Sequence, residues 1–197
     1  MSNSKKALAL HQKLHGKVRI VPSIKPDAQN LALLYTPGVA AVCGAIGRTK
    51  RKAYDYTWKG NSVAIVSNGT RLLGLGNLGP YAALPVMEGK ALLYSHYGGI
   101  SAVPLCIESS KIAEIVTLVK QIAPTFGAIN IEDICSPDVF TIVQTLSKEL
   151  DIPVFHDDQH GTAMVTVAAL LNALKVADKQ LASARASVGG ESQHSIT

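Results

Sequence analysis

The chain alternates short apolar runs with longer segments of helical periodicity. Four apolar runs of strand length lie at residues 62–69, 101–108, 127–133 and 152–157. None of them shows the strict apolar–polar alternation of a strand that has one face in water, so we predict strands buried on both faces. The sequence therefore predicts an α/β protein in which helices cover both sides of a mainly parallel sheet.

The helical segments lie before and between these strands. We predict helices at residues 3–15, from Asp27 with a break at Thr36–Gly38, and at 81–99, 109–123, 136–151 and 161–177. Ser109 or Ser110 is expected to cap one helix, and Ser136 another, with Pro137 at its first position, because serine accepts hydrogen bonds from free helix N–H groups and proline needs no N–H partner there.

Polar groups follow three of the predicted strands. Ser67-Asn68-Gly69 ends the first, Glu132-Asp133 the third and His156-Asp157-Asp158 the fourth. Because the carboxyl ends of parallel strands share one edge of a sheet, the four carboxylates of these ends are expected to meet there. An all-oxygen set favours a hard divalent cation, Mg²⁺ or Mn²⁺.

Each of these acids has an alternative interpretation. Asp158 precedes a helix and could be its N-cap, and for any single acid capping and metal binding are about equally plausible. Adjacent acids at two strand ends favour the metal. His156 and His160 could bind zinc, but they lack a sulfur partner or a His-Glu-x-x-His pattern, so a structural role beside the acids is favoured.

Other candidate residues give weaker signals. The sequence "GLGNLG", residues 74–79, matches a dinucleotide fingerprint by letter, but a tight turn explains it at least as well. Lys90 lies in an otherwise apolar helix, where burial could lower its pKa and let it act as a base; Tyr35 precedes a helix break. A surface lysine and a packed tyrosine are the plainer alternatives.

The composition limits partner and compartment. Charged residues make up 17% of the chain and hydrophobic ones 47%, with a net charge of +5. Basic residues cluster only at 48–52 and no nucleic-acid motif accompanies them, so we expect no nucleic-acid partner. The three cysteines show no paired spacing, and we expect reduced thiols packed in the core. No signal peptide or membrane span is expected, and we predict a cytoplasmic protein.

Four longer motifs carry a family resemblance. The stretches "YTPGVA", "LGLGNLGPYAALPVMEGKALL", "APTFGAINIEDI" and "IPVFHDDQHGTA" resemble, in this order, the N-terminal domain of malic enzymes, especially the small-subunit bacterial and archaeal type. The resemblance runs from about Leu31 to Asp178. It implies a three-layer α/β/α domain like the N-terminal domain of amino-acid dehydrogenases. It further implies a homodimer that converts L-malate to pyruvate and CO₂, by way of oxaloacetate, with NAD⁺ or NADP⁺ and with Mg²⁺ or Mn²⁺.

The resemblance also assigns roles. The family's metal ligands fall on Glu132, Asp133 and Asp158. Its base lysine falls on Lys90, and its acid tyrosine on Tyr35.

Two further roles concern the surroundings of that centre. Asp157 would assist Lys90 from a position beside the metal ligands. The family's substrate-binding arginine falls on Arg71, whose guanidinium suits a bidentate grip on a malate carboxylate.

The sequence departs from the family pattern at two places. Ser67-Asn68-Gly69 stands where the family usually has Thr-Asp-Gly, and asparagine suits that turn equally well. The glycine fingerprint of the family's second half is replaced by "VGGESQHSIT". We therefore expect a helical arm at 1–26, the malate and metal domain at 27–180, and at 181–197 the frayed start of a truncated cofactor domain, the C-terminal Rossmann fold being missing. A cofactor-independent dicarboxylate-binding or oxaloacetate-decarboxylating module, or an inactive fragment, is the alternative.

Overall fold

A four-stranded parallel sheet forms the centre of the molecule. The computed structural model describes residues 3–185, apart from the side chains of residues 28 and 29. The strands are β1 Ser62–Ser67, β2 Ser101–Cys106, β3 Ala128–Ile131 and β4 Val154–His156. Their order is β2-β1-β3-β4, and every neighbouring pair is parallel. The predicted α/β class and parallel sheet are confirmed, although each strand ends one to two residues earlier than its apolar run.

Helices cover both faces of this sheet. They are α1 Asn3–Leu14, α2 Ala28–Leu34, α3 Val39–Arg48, α4 Ala53–Tyr56, α5 Gly79–Gly98, α6 Ile112–Ile122, α7 Asp138–Glu149 and α8 Thr162–Val176. Side chains of β1 alternate between the faces: Ile65 packs with Met87 of α5, whereas Ala64 and Val66 share a core with α6 and α7. Burial on both faces explains why β1 is apolar without interruption.

The helix starts differ from the predicted caps. Lys111, not Ser109 or Ser110, is the N-cap of α6, and the Ser109 hydroxyl instead accepts a hydrogen bond from the Lys111 N–H at 3.2 Å. In α7, Pro137 is itself the N-cap and no side chain caps the helix. A serine two residues before a helix can close a local turn as readily as cap it, so pattern alone misplaced both starts.

The glycine-rich loop at 74–79 leads into α5. Gly74, Gly76 and Gly79 all have positive φ angles of 75–83°. A Cβ at any of them would meet nothing within 4 Å, so conformation rather than crowding requires glycine there. Gly69 is different, because a Cβ would lie 2.2 Å from the Gly79 carbonyl oxygen. Of the two interpretations of this sequence, a dinucleotide fingerprint and a tight turn, the structure shows the tight turn.

The N-terminal helices α1–α3 contain no buried residue among those described, and their apolar side chains face outwards. Contrary to expectation, one helical stretch, residues 30–48, is long and apolar enough to cross a bilayer by length and composition, with a mean hydropathy of 1.4. Core helices of globular proteins and signal sequences meet the same criterion. The three cysteines are unpaired, as expected, but Cys43 is exposed rather than packed in the core. The departure at "VGGESQHSIT" lies outside the described residues.

Candidate active site

A cleft of about 990 Å³ lies at the carboxyl edge of the sheet. It is lined by the acids of two strand ends, by one face of α5 and by the glycine-rich loop. The acids that line it are Glu132, Asp133, Asp157 and Asp158. The structure thus brings together the four carboxylates that the sequence placed at one edge, and it adds the cations Lys90 and Arg71 to the same wall.

Lys90 lies between two of these carboxylates. Its Nζ is 3.0 Å from Glu132 Oε1 and donates a short hydrogen bond to Asp157 Oδ2. Burial alone would lower the pKa of Lys90, but attraction to Glu132 and Asp157 outweighs burial and raises it. The expectation of a lowered pKa is therefore wrong for the unliganded chain, since it considered burial without the neighbouring acids.

Glu132 is the more deeply buried partner of Lys90. Its side chain is 12% exposed, and Asn130 Nδ2 donates a hydrogen bond to its Oε2 at 2.8 Å. Burial raises the pKa of Glu132 to about 7, even though the Lys90 charge opposes that rise. Burial thus favours the protonated form of this carboxyl group, whereas a nearby cation favours the charged form.

Asp133 is held in an uncommon backbone conformation. Its φ of 49° lies in the left-handed region, which few non-glycine residues adopt. Its Oδ2 is buried without a hydrogen-bond partner among the described residues. Burial and the charge of Asp158 raise the pKa of Asp133 to about 6. Strained backbone and an unpaired buried carboxylate oxygen are typical of functional sites.

Arg71 connects this cluster to β1. Its backbone N–H donates to the Asp133 carbonyl at 3.2 Å, and its Nη1 lies 3.6 Å from Asp158 Oδ2. Asp158 is not the N-cap of α8, because a π-helical turn, Asp157–Gly161, separates the strand from that helix and Gly161 is the cap residue. The capping alternative for Asp158 is therefore wrong.

The side chains of this cluster are of the type that binds a divalent cation, but the described ones are not grouped around a single point. Asp133 Oδ2 and Asp157 Oδ1 are buried oxygens without hydrogen-bond partners among the described residues, as cation ligands should be. Within residues 3–185, however, no three His, Cys, Asp or Glu side chains are grouped closely enough to hold one ion. The donor set fits Mg²⁺ or Mn²⁺.

The two histidines are placed behind the acids. His156 is 1% exposed, and neither ring nitrogen has a hydrogen-bond partner in the described part of the chain. Burial lowers the pKa of His156, which favours the neutral ring. His160 Nδ1 accepts a hydrogen bond from the His156 backbone N–H at 3.0 Å, and its ring packs against Phe155. These contacts agree with a structural role.

Other residues depart from the sequence-based picture. Tyr35 is 69% exposed and does not line the cleft, so the chain by itself does not bring it to the acids. Sequence reasoning missed Tyr94, one helical turn after Lys90, whose pKa is raised by burial and which lies close enough to sense the Lys90 charge. It also missed His11 and Lys17, which line the cleft although they precede the predicted domain. The four-residue spacing of Lys90 and Tyr94 was the available signal for Tyr94; nothing in the pattern indicated the other two.

Comparison with known proteins shows which proteins this chain resembles. Residues 16–111 match the malic enzyme N-terminal domain. The NAD-dependent malic enzyme of Geobacillus stearothermophilus is 59% identical over 152 residues, 77% of this chain and 32% of the relative. The bifunctional malic/malolactic enzyme of Bacillus subtilis is 49% identical over 191 residues, 96% of this chain and 47% of the relative. The chain therefore spans half or less of the length of these relatives.

Solved structures that superpose on this chain are also malic enzymes. The NAD-dependent malic enzyme of Thermotoga maritima superposes with a TM-score of 0.89 at 50% identity, covering 91% of this chain and 48% of that one. The malic enzyme of Pyrococcus horikoshii gives the same TM-score at 52% identity, covering 92% and 43%. A family model over residues 16–111, relatives that are 49% and 59% identical and superposable structures all agree, so the chain is similar to the N-terminal part of malic enzymes.

Proposed function

We propose that this chain provides the malate- and metal-binding part of an enzyme that converts L-malate to pyruvate and CO₂ with NAD⁺ or NADP⁺. The observation that supports this most strongly is the cleft that joins Lys90 and Arg71 to four carboxylates. The names of the relatives support a nicotinamide cofactor without deciding between its two forms. A cytoplasmic location remains part of the proposal.

The proposed metal ligands are Glu132, Asp133 and Asp158, which lie at two neighbouring strand ends. The buried, unpaired oxygen of Asp133 and the raised pKa values of Glu132 and Asp133 support this assignment, because a cation would relieve both. When bound, Mg²⁺ or Mn²⁺ would supply Lewis-acid polarisation of the substrate C2 oxygen.

Lys90 is the proposed base for the C2 hydroxyl proton. It must first release a proton of its own, and Asp157 contacts its Nζ and is positioned to share that proton. Neutralising the charge of Glu132 would weaken the attraction that keeps Lys90 protonated. Arg71, beside Asp158 on the same wall, is proposed to bind a malate carboxylate.

The proposal includes a homodimer because Tyr35 lies outside the cleft of its own chain. The residue is proposed to protonate C3 of the product enol, yet it lies on an exposed apolar surface with Leu31, Leu33 and Leu34, which are 51%, 72% and 47% exposed. An exposed patch of this kind is typical of a protein interface. We propose that two copies pair through it and that each supplies Tyr35 to the other's cleft.

The proposed dimer can be tested by measuring the molecular mass of the protein in solution. Leu33→Glu places a charge in the proposed interface and is expected to convert a dimer to a monomer, as measured by light scattering during size-exclusion chromatography. Val176→Glu, at a residue that is 91% exposed on α8, is the matched control and should leave the mass unchanged. A monomeric parent chain would refute this part of the proposal.

Metal-dependent malate binding tests the function itself. Mn²⁺ binding, followed by water-proton relaxation, should promote binding of L-malate, and Asp133→Asn should weaken Mn²⁺ binding by about ten-fold or more because a charged ligand is lost. Glu149→Gln, at an exposed acid that pairs with Lys120, is the control. Equal Mn²⁺ affinity in Asp133→Asn and the parent would exclude this residue as a ligand. Release of CO₂ from oxaloacetate without nicotinamide would favour the cofactor-independent alternative.

A further inference from the structure

The segment after α1 returns to the active-site cleft. Lys17 is attached to α5 at two points: its Nζ donates to the Pro85 carbonyl at 2.6 Å, and its backbone N–H donates to Glu88 Oε2 at 3.1 Å. His11 Nε2 lies 2.8 Å from the same Nζ. His11 and Lys17 both line the cleft that holds the four carboxylates.

A glycine of α5, Gly89, lies beside this ammonium. A Cβ built on Gly89 would lie 4.0 Å from Lys17 Nζ. Glycine inside a helix is unfavourable by about 1 kcal/mol relative to alanine, so its presence beside Lys90 calls for a local reason.

The histidine beside Lys17 acts as an acceptor. His11 Nδ1 lies 2.9 Å from the Ala7 carbonyl, so the ring proton belongs on Nδ1 and Nε2 is free to accept from Lys17. The two hydrogen-bond partners of the Lys17 ammonium, the imidazole nitrogen of His11 and the backbone carbonyl of Pro85, are therefore both neutral. They orient the charge without cancelling it.

The charge of Lys17 differs in this respect from the other cations of the cleft. Lys90 is paired with Glu132 and Asp157, and Arg71 with Asp158. Lys17 forms no salt bridge with any carboxylate of the described residues, and Glu88 accepts only from its backbone. An oriented ammonium of this kind, with two of its three protons engaged, is suited to bind an anion in the cleft.

We propose that Lys17 binds the substrate carboxylate that lies away from the acidic cluster, with His11 as the residue that positions it. The inference rests on the proposed function and adds a determinant of specificity. Lys17, Arg71 and Lys90 line one cleft, so in this proposal a dicarboxylate contacts Lys17 with one carboxylate and the Arg71 and Lys90 region with its other end, whereas a 2-hydroxy monocarboxylate has no second carboxylate for Lys17. Lys17 acts on affinity, because its contact is made with a group that already carries its charge in the bound substrate.

The test compares L-malate with L-lactate, which lacks the second carboxylate. In the presence of Mn²⁺, Lys17→Met should weaken L-malate binding by about ten-fold or more, as expected for the loss of a charge-assisted hydrogen bond, and leave L-lactate binding unchanged. Lys17→Arg should retain most of the malate affinity. Lys13→Met, on α1 with His11 and outside the cleft, is the control. Affinities would be measured by calorimetry on the full chain.

The outcomes separate the two proposals. Failure of the parent chain to bind L-malate at any Mn²⁺ concentration would overturn the proposed function, and this inference with it. Parent-like malate affinity in Lys17→Met would overturn the inference alone, and so would an equal loss of affinity for malate and lactate. A measurement on the unmodified chain covers the case in which Lys17→Met misfolds: L-malate, but not L-lactate, should protect Lys17 from an amine-acylating reagent, as read by mass spectrometry. Equal labelling with and without malate would contradict the proposal.

Discussion

Replacing Lys90 with methionine is expected to slow L-malate-dependent reduction of NAD(P)⁺ by about 10²–10⁴-fold, the range typical for loss of a general base. Methionine retains the length and apolar stem of lysine but has no group that accepts a proton. The Lys90 ammonium is also the partner of Glu132 and Asp157, so its removal leaves two adjacent carboxylates uncompensated. The rate would be measured spectrophotometrically at saturating malate and metal.

Two variants separate catalysis from structure. Lys90→Arg preserves the positive charge between Glu132 and Asp157, but its guanidinium does not deprotonate near neutral pH, so it should fold normally and remain inactive. Lys120→Met removes an exposed lysine that pairs with Glu149 and should retain full activity. If Lys90→Arg kept activity within a few-fold of the parent, Lys90 would serve as a structural cation only.

Without divalent cations, Glu132 is expected to make the chain less stable as the pH rises from 4.5 through about 7. Its pKa is raised by burial from 4.5 to about 7, so the folded state binds this proton more tightly than the unfolded state. The stabilisation is therefore fully present below 4.5 and is lost as the pH rises through about 7. A shift of this size corresponds to on the order of 3 kcal/mol, and Asp133, with a pKa raised to about 6, acts in the same direction.

His156 opposes this trend at the acid end. Burial lowers the pKa of His156, so its contribution to stability grows as the pH rises towards its ordinary value of 6.5. The quantity to compare is therefore the free energy of unfolding. Its difference between the parent and Glu132→Gln would be measured by urea unfolding at a series of pH values. The parent should lose stability relative to the variant as the pH rises, and Mn²⁺ should restore stability to the parent at the alkaline end. A difference that is constant with pH would show that Glu132 titrates normally.

Much of the fold follows from local sequence signals. The uninterrupted apolar residues of β1 record burial on both faces, and the helical segments that alternate with the strands dictate parallel connections. The placement of Glu132-Asp133 and Asp157-Asp158 at one edge follows from the same logic, since all parallel strands end on that side. The start of α6 was misplaced because Ser109 closes a local turn instead of capping the helix, and the start of α7 because Pro137 is itself the N-cap.

The pairing of charges did not follow from the sequence. Nothing in the order of residues indicates that Lys90 lies between Glu132 and Asp157, which are 42 and 67 positions further along the chain. That proximity depends on how α5 packs against β1 and β2. The sign of the Lys90 pKa shift depends on it as well, because burial and attraction act in opposite directions and only the distances decide between them.

The sequence by itself determined the class of fold and the edge at which the acids collect, since period and termination of each element are local properties, while the family resemblance rested on four longer motifs. The tertiary structure decided which cation faces which acid, that Lys17 returns to the cleft across α5, and that Tyr35 stays outside it. Desolvation and Coulomb attraction depend on neighbours in space. Residues far apart in the chain become such neighbours only when the helices pack against the sheet.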